Sequence, residues 1–149
     1  MTSTSKTSST LSSVLIALGS NLGDRVTYLR RAVDALAPDV RVVRISSVRE
    51  TEPLDSPAGS PPYLNLVVAG HTTLPPAALL DRLQAIEHQL GRRRTLTRNA
   101  PRTIDLDLIL HSANRVRTPA LTLPHPRYRQ RDFVMTPARE LRLGWEGLR

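Results

Sequence analysis

Two aspartates in the second half of the sequence have a spacing suited to metal chemistry. Asp105 and Asp107 lie two residues apart in a stretch where apolar and polar residues alternate. Residues two apart on a strand project from the same face, with their backbone positions roughly 6 to 7 Å apart. Two such carboxylates can share a pair of Mg²⁺ ions, which bind carboxylate oxygens together with substrate phosphates. A solvated strand face is the alternative, and the nearby arginines favour a metal-phosphate site.

Arginines cluster on both sides of this pair. The first cluster contains Arg92, Arg93, Arg94, Arg98 and Arg102, and the second contains Arg127, Arg129 and Arg131. Guanidinium groups stay protonated and donate paired hydrogen bonds to phosphate oxygens, so several together can neutralise a triphosphate. A solvated basic face is the alternative for any single arginine. The segment from Arg92 to Arg102 lacks a clear period and predicts a mobile loop that closes over substrate and excludes water.

The sequence also contains a candidate site for a flat ring. Aromatic residues make up only 3% of the chain, and Tyr63 and Phe133 could stack on the two sides of a heterocycle. Asn65 follows Tyr63 by two residues, and its amide supplies the donor and acceptor that a pterin or purine edge requires. Core packing is the alternative for both rings, and a buried structural amide for Asn65. His125, next to the second arginine cluster, is a candidate phosphate ligand.

Composition limits the classes of function. The chain has 149 residues, a net charge of +8 and Lys6 as its only lysine, which makes polyanions plausible partners. The absence of cysteine excludes disulfides, thiolate metal sites and thiol nucleophiles. Residues 1–13 are rich in Ser and Thr and predict a disordered tail, followed by a single domain over residues 14–149. The apolar run Val14–Leu18 is too short for a signal peptide or membrane span, so we expect a cytoplasmic protein.

The sequence pattern predicts four strands and two helices. One helix follows the first strand, the other follows the third, and the fourth strand contains the aspartate pair. The strands are Val14–Leu18, Val40–Thr51, Tyr63–Thr73 and Ile104–Leu110, with one face of the last strand buried. One helix begins at Asp24 and stops at Pro38, and another runs from Pro75-Pro76 to Gly91. Residues 52–62 are a loop, and residues 111–149 are mostly irregular with a short helix near Pro137 to Leu141.

This order of elements predicts an α+β fold. Strand, helix, strand, strand, helix, strand is the ferredoxin-like split βαβ sandwich, an antiparallel sheet backed by two helices. Unrelated functions share that fold, so the site must decide the function. The segment Gly19 to Gly23 lacks the Gly-Lys-Ser/Thr ending of a P-loop, and we interpret it as a turn that shapes the site.

Five segments, in order, resemble the hydroxymethyldihydropterin pyrophosphokinases, and the resemblance runs from about Val14 to Pro137. They are Ala17-Leu18-Gly19-Ser20-Asn21-Leu22-Gly23, Tyr63-Leu64-Asn65, Ile86-Glu87 with Gly91-Arg92, Pro101-Arg102-Thr103-Ile104-Asp105-Leu106-Asp107, and Leu123-Pro124-His125-Pro126 leading to Arg131 and Phe133. The sequence departs from the family pattern at Asn99-Ala100, where many members have Trp-Gly, and at Glu52, which replaces a proline.

The resemblance implies a reaction in which a pterin hydroxyl attacks the β-phosphorus of ATP, so that a diphosphate is transferred whole and AMP leaves. It implies that Asp105 and Asp107 bind two Mg²⁺ ions and that Arg92 and Arg102 join them in catalysis. The pterin would lie between Tyr63 and Phe133, with Asn65, Thr51 and Leu54 at its polar edge. The implied ATP ligands are Glu87, Arg92, Arg94, Arg102, His125 and Arg131.

Two other classes of function also fit parts of the sequence. An RNA-binding module can have a ferredoxin-like sheet with excess arginine. Such modules stack bases on sheet aromatics, but here the first strand has none and the third has only Tyr63. Asp105 and Asp107 would also repel a phosphate chain. A nucleotidyl transferase or phosphatase would keep the metal site, but it would not need the ring site. We therefore expect a monomer whose partners are ATP and a pterin alcohol, and neither nucleic acid nor membrane.

Overall fold

The computed structural model describes residues 11–53, 56–92, 101–112, 114–126 and 128–141. Its strands are β1 (Ser12–Ser20), β2 (Arg41–Ile45), β3 (Arg49–Thr51), β4 (Tyr63–Thr72), β5 (Asp105–His111), β6 (Val116–Arg117) and β7 (Thr122–Leu123). Its helices are α1 (Arg25–Leu36), α2 (Pro76–Gln89), a 3-10 turn (Tyr128–Gln130) and α3 (Asp132–Glu140). The predicted tail falls mainly on residues 1–10, which lie outside the described residues, and β1 begins at Ser12, two residues before the predicted start of the strand.

The main sheet has the strand order β2-β4-β1-β5, with β3 paired to β4 beyond the end of β2. All of these pairings are antiparallel. β1 is the central strand, with β4 on one side and β5 on the other. The predicted α+β class, an antiparallel sheet with helices packed on it, is confirmed.

One face of the sheet packs against α1 and α2. Each helix contributes residues at helical spacing, namely Leu29, Ala32 and Leu36 from α1 and Leu79, Leu83 and Ile86 from α2. They meet the side chains of alternate strand residues, such as Ile16, Leu18, Leu66, Val68 and Leu106. The two-residue period of the strands and the 3.6-residue period of the helices therefore supply one shared apolar core.

The opposite face carries a third helix that the sequence analysis did not place correctly. We predicted a short helix near Pro137, but α3 begins at Asp132 and contains Pro137 in its interior. Val134, Met135, Ala138 and Leu141 form the apolar stripe of this segment and pack on Leu15, Ala17, Val67 and Ala69. Burial of that stripe outweighs the hydrogen bond that proline cannot donate.

β5 also differs from its predicted alternation. Leu106 and Leu108 belong to the core beneath α1 and α2, whereas Leu110 belongs to the core beneath α3. The β1–β5 register shifts between Leu15 and Ile16, which pair with Leu110 and Leu108 respectively. The extra residue, Ile109, moves every later side chain to the other face, so the two faces of β5 are both buried beyond it.

The predicted strand from Val40 to Thr51 is two strands. The β2–β4 register shifts between Val42 and Arg44, and the regular ladder ends at Ile45. Beyond it, the Ser46 hydroxyl accepts a hydrogen bond from the Val67 backbone N–H at 2.8 Å, in place of a strand carbonyl. A side chain that substitutes for the backbone ladder interrupts the strand.

The helix ends agree with the sequence signals. Asp24 is the N-cap of α1, and its Oδ1 accepts a hydrogen bond from the Thr27 N–H at 3.2 Å. Pro75 and Pro76 open α2 as predicted, and Gly91 follows the last turn with φ of 90°. Within the described ranges, no helix combines the length and the apolar character needed to cross a bilayer.

Candidate functional site

The candidate site lies on the part of the α3-side face that α3 does not cover. The register pairs Gly19 of β1 with Asn65 on one side and with Asp105 on the other. Ala17 pairs with Asp107 in the same way, and Tyr63 pairs with Thr51. Because paired residues share a face, the predicted pterin-edge residues and the predicted metal ligands lie on one surface, separated by the strand that carries Gly19.

Asp105 and Asp107 form a partly exposed carboxylate pair on β5. Their side chains are 26% and 33% exposed. Burial, and then the charge of Asp105, raise the pKa of Asp107 from 3.8 to about 7. Nη1 of Arg131 lies 3.8 Å from Oδ2 of Asp107 and opposes that shift. Such a pair favours any cation that can bind both carboxylates.

Arg92 connects this pair to α2. Its Nη1 donates hydrogen bonds to Oε2 of Glu87 and, at 2.9 Å, to Oδ1 of Asp105. Nη1 of Arg102 lies 3.7 Å from Oδ2 of Asp105. Both oxygens of Asp105 therefore face guanidinium groups, which are the groups best suited to exchange a carboxylate for a phosphate.

Glu87 was predicted to contact ATP, and the structure directs its carboxylate into the protein. Oε2 accepts a hydrogen bond from the Leu106 backbone N–H at 2.8 Å as well as from Arg92. The pairing partner of β5 is β1, so this N–H lies on the open edge of the sheet. Burial raises the pKa of Glu87, while the two hydrogen bonds hold it down. In this structure, Glu87 fixes the start of β5 and the position of Arg92.

The structure describes Tyr63, Asn65 and Thr51 among the predicted ring-binding residues. Asn65 is buried, and its Nδ2 donates a hydrogen bond to the Thr51 hydroxyl at 2.6 Å. Tyr63 is half-buried, and burial raises the pKa of its hydroxyl. Leu54, Arg94 and the side chain of Phe133 lie outside the described residues, although the backbone of Phe133 belongs to α3.

Gly19 lies in the candidate site, although the sequence analysis treated it only as part of a turn. A Cβ at this position would lie 2.9 Å from Oδ1 of Asn65 and 3.2 Å from Cδ1 of Tyr63. The missing side chain therefore leaves the Asn65 amide and the Tyr63 ring in contact with the backbone of β1. The short Gly-Ser-Asn-Leu-Gly segment was the one sequence signal for its role. Its pairing with Asn65 is a long-range contact that the sequence alone does not show.

We expect Gly19→Ala to raise the KM for the ring substrate about fivefold, since the added methyl displaces the Asn65 amide. Gly70→Ala is the matched control, because a Cβ there meets the Arg41 carbonyl oxygen at 2.5 Å, at the far end of β4. The control should lower Tm and leave KM unchanged. Steady-state kinetics and thermal unfolding of both variants test this, and equal KM values for Gly19→Ala and wild type would contradict it.

A cleft crosses the edge of β5 next to the aspartates. It has a volume of about 250 Å³ and is lined on the strand by Leu106, Asp107 and Leu108 and on the facing loop by Thr122, His125 and Pro126. The His125 backbone N–H donates to the Ile109 carbonyl at 2.9 Å, which fastens this loop to β5. The cleft has a mixed lining of apolar side chains with a carboxylate, a hydroxyl and an imidazole, which can supply both packing and polar contacts to a bound molecule.

The donor set of the site fits Mg²⁺ bound together with phosphates. Among the described residues, no group of three or more His, Asp or Glu side chains is arranged to hold a metal by itself. Asp105 and Asp107 offer two carboxylates on one strand face, and Mg²⁺ commonly uses one or two carboxylates and takes the remaining ligands from water and phosphate. A cation there would also relieve the repulsion that raises the pKa of Asp107.

Comparison with known proteins agrees with this arrangement. Residues 15–143 match the family described as 7,8-dihydro-6-hydroxymethylpterin-pyrophosphokinase (HPPK). The 2-amino-4-hydroxy-6-hydroxymethyldihydropteridine pyrophosphokinase of Bacillus subtilis is 44% identical over 128 residues, covering 85% of this chain and 75% of that protein. The enzyme of the same name from Pseudomonas aeruginosa is 42% identical over 130 residues, covering 86% and 79%. A folate synthesis bifunctional protein of Arabidopsis thaliana is 36% identical, covering 97% of this chain and 30% of that protein.

Proposed function

Given that the chain belongs to the 7,8-dihydro-6-hydroxymethylpterin-pyrophosphokinase family, we propose that it transfers a diphosphate from ATP to 6-hydroxymethyl-7,8-dihydropterin, a step of folate biosynthesis. The observation that carries the proposal is the single surface on which Gly19 separates Asn65 from Asp105. One side of that surface offers a ring and an amide, and the other offers two carboxylates bordered by arginines. These are the requirements of a flat heterocycle and of a metal-bound triphosphate.

The reaction breaks one bond of ATP and forms one to the pterin. The oxygen of the pterin hydroxymethyl group attacks the β-phosphorus, the bond from that phosphorus to the bridging oxygen of the α-phosphate breaks, and AMP leaves with that oxygen. The hydroxyl proton is released to solvent or to a nearby base. Because phosphoryl transfer needs little covalent help from the protein, in-line positioning and charge neutralisation supply most of the acceleration.

Asp105 and Asp107 would hold the metal, and we propose two Mg²⁺ ions. When bound, Mg²⁺ neutralises phosphate charge and stabilises the attacking and leaving oxygens. Arg92 and Arg102 face Asp105 in this structure. With Asp105 engaged by a cation, the same two guanidinium groups would turn to the phosphate oxygens and neutralise their charge.

The two substrates would occupy adjacent places. Tyr63, Asn65 and Thr51 would contact the pterin, with Leu54 and Phe133 completing its pocket. The cleft between β5 and the segment from β7 to Pro126 would hold the nucleotide, and His125 and Arg131 would contact phosphates near Asp107. Arg94 would join them from the 93–100 segment, and Glu87 would act through Arg92.

Several broader assignments belong to the same proposal. The strand order β2-β4-β1-β5, with helices after β1 and β4, supports a ferredoxin-like split βαβ topology to which α3 is added. We propose a cytoplasmic monomer with one pyrophosphokinase domain over residues 14–149, preceded by the Ser- and Thr-rich segment 1–13. An RNA-binding role is disfavoured because Asp105 and Asp107 occupy the sheet face that such a module needs for phosphate and base contacts.

A product assay tests the proposal. Purified protein with MgCl₂, ATP and 6-hydroxymethyl-7,8-dihydropterin should release AMP only when the pterin is present. Formation of ADP would indicate an ordinary kinase, and release of phosphate or pyrophosphate without pterin would indicate a hydrolase. If folded protein yields no pterin-dependent nucleotide product, the proposed function is wrong.

A further inference from the structure

Asn21 is fully buried and hydrogen-bonds to two segments of the chain that are far apart in sequence. Its Oδ1 accepts from the Arg102 N–H at 2.9 Å, and its own backbone N–H donates to the Arg102 carbonyl at 3.2 Å. Its Nδ2 donates to the Pro61 carbonyl at 3.2 Å. The Arg102 N–H and the Pro61 carbonyl fix the orientation of the amide, because a flipped side chain would set donor against donor at Arg102 and acceptor against acceptor at Pro61.

Each of these segments leads directly into one half of the site. Arg102 lies three residues before Asp105, and its guanidinium faces that carboxylate at 3.7 Å. Pro61 lies two residues before Tyr63, the first residue of β4. One buried side chain therefore connects the backbone that presents the phosphate-side arginine with the backbone that presents the pterin-side ring.

A neighbouring contact shows how the pterin side is held independently. Arg25 donates to the Pro62 carbonyl at 2.9 Å and forms an ion pair with Glu50 at 3.2 Å. Pro62 immediately precedes β4, and Glu50 lies in β3 next to Thr51. Arg25 can therefore position Tyr63 through contacts that do not involve Arg102. The amide of Asn21 adds the connection between the two sides.

We infer that Asn21 is a positioning residue that couples nucleotide binding to pterin binding, an inference that rests on the proposed function. Phosphate binding by the Arg102 guanidinium restrains the Arg102 side chain and orders its backbone. The paired hydrogen bonds transmit that ordering to Asn21, and the Nδ2 contact transmits it to Pro61 and the start of β4. Thermodynamic linkage makes the effect reciprocal, so pterin must strengthen nucleotide binding by the same factor.

Calorimetric titration of the pterin, with and without Mg²⁺ and an ATP analogue methylene-bridged between its α- and β-phosphates, measures this coupling. In wild type we expect the analogue to tighten pterin binding by about tenfold. Asn21→Asp keeps the acceptor for the Arg102 N–H but places an oxygen against the Pro61 carbonyl. The ratio of the two pterin dissociation constants should then fall to about two. A merely structural role would lower Tm without changing that ratio.

Asn114→Asp is the matched control. The Asn114 amide binds Nδ1 of His111 at 2.9 Å, at the far end of β5, so this change should leave the ratio unaltered. If Asn21→Asp retains the wild-type ratio, or if the wild-type ratio is one, the inference is wrong. Wild-type protein that forms no AMP would instead refute the proposed function.

Hydrogen exchange of the Arg102 amide provides a test in the unmodified protein, should the Asn21 variants fail to fold. Pterin alone, bound beside Tyr63, should slow exchange of that amide at least about threefold, because ordering Pro61 orders its connection through Asn21. An exchange rate that pterin leaves unchanged would contradict the coupling.

Discussion

Asp107→Asn should lower kcat at least about 1,000-fold while leaving pterin binding within about threefold of wild type. The substitution keeps the shape of the side chain but removes the charge that, in the proposed function, holds a divalent cation beside the reacting phosphates. Asp107 pairs with Ala17 rather than with the pterin-side strand, so the ring site should survive. Stopped-flow or steady-state measurement of AMP formation, together with calorimetric titration of the pterin, checks both parts of the result.

Asp39→Asn is the matched control for that variant. Asp39 pairs with Arg82 at 2.9 Å and lies near Thr72, at the opposite end of β4 from Tyr63. Its loss should leave kcat unchanged. An Asp107→Asn protein that retains more than about a tenth of wild-type kcat would exclude this carboxylate as an essential metal ligand.

The same substitution should stabilise the metal-free protein at high pH by about 2 kcal/mol. The pKa of Asp107 is about 7 in the folded protein, against an unfolded value near 3.9. Between these values the folded chain binds a proton that the unfolded chain has lost, so wild type loses stability as pH rises from about 4 through 7. Solvent reaches a third of the side chain, which reduces the full linkage energy to roughly half.

Thermal unfolding in EDTA at pH 4.5 and pH 8.5 measures this effect. Asn imitates the protonated carboxyl, so the gain in Tm over wild type should be small at the lower pH and several degrees at the higher one. Saturating Mg²⁺ with ATP should restore the stability of wild type alone, since ligands that bind only the folded state stabilise it. A gain of equal size at both pH values would show that the stabilisation does not arise from ionisation of Asp107.

Much of the fold follows from local patterns that the sequence displays. The periods of β1, α1, β4 and α2, the Asp24 cap and the Pro75-Pro76 start are properties of short segments. The places where prediction was wrong depend on distant partners. The bulge at Ile109 exists because β5 must match β1, and the helix around Pro137 forms because its apolar stripe covers Leu15 and Val67.

The candidate site divides in the same way. The Asp105 and Asp107 pair and the Tyr63 and Asn65 pair are each two residues apart, so their shared faces could be predicted. Their union on one surface depends on the registers of β1 with both neighbours. The ATP contact of Glu87 stays a prediction, and the hydrogen bonds of its carboxylate with the Leu106 N–H and Arg92 depend on the folded chain. The roles proposed for Gly19 and Asn21 depend on contacts with residues at least 40 positions away along the chain. Only the folded chain reveals such contacts.

Transfer of two labels from one ATP molecule tests the central claim most directly. ATP carrying ³²P at the β-phosphate and ³³P at the γ-phosphate is incubated with the protein, Mg²⁺ and 6-hydroxymethyl-7,8-dihydropterin, and the pterin product is isolated. The account predicts both labels in the pterin product in the ratio of the starting ATP, with unlabelled AMP released. A pterin product that carries only the γ-label, or no label at all, would contradict diphosphate transfer.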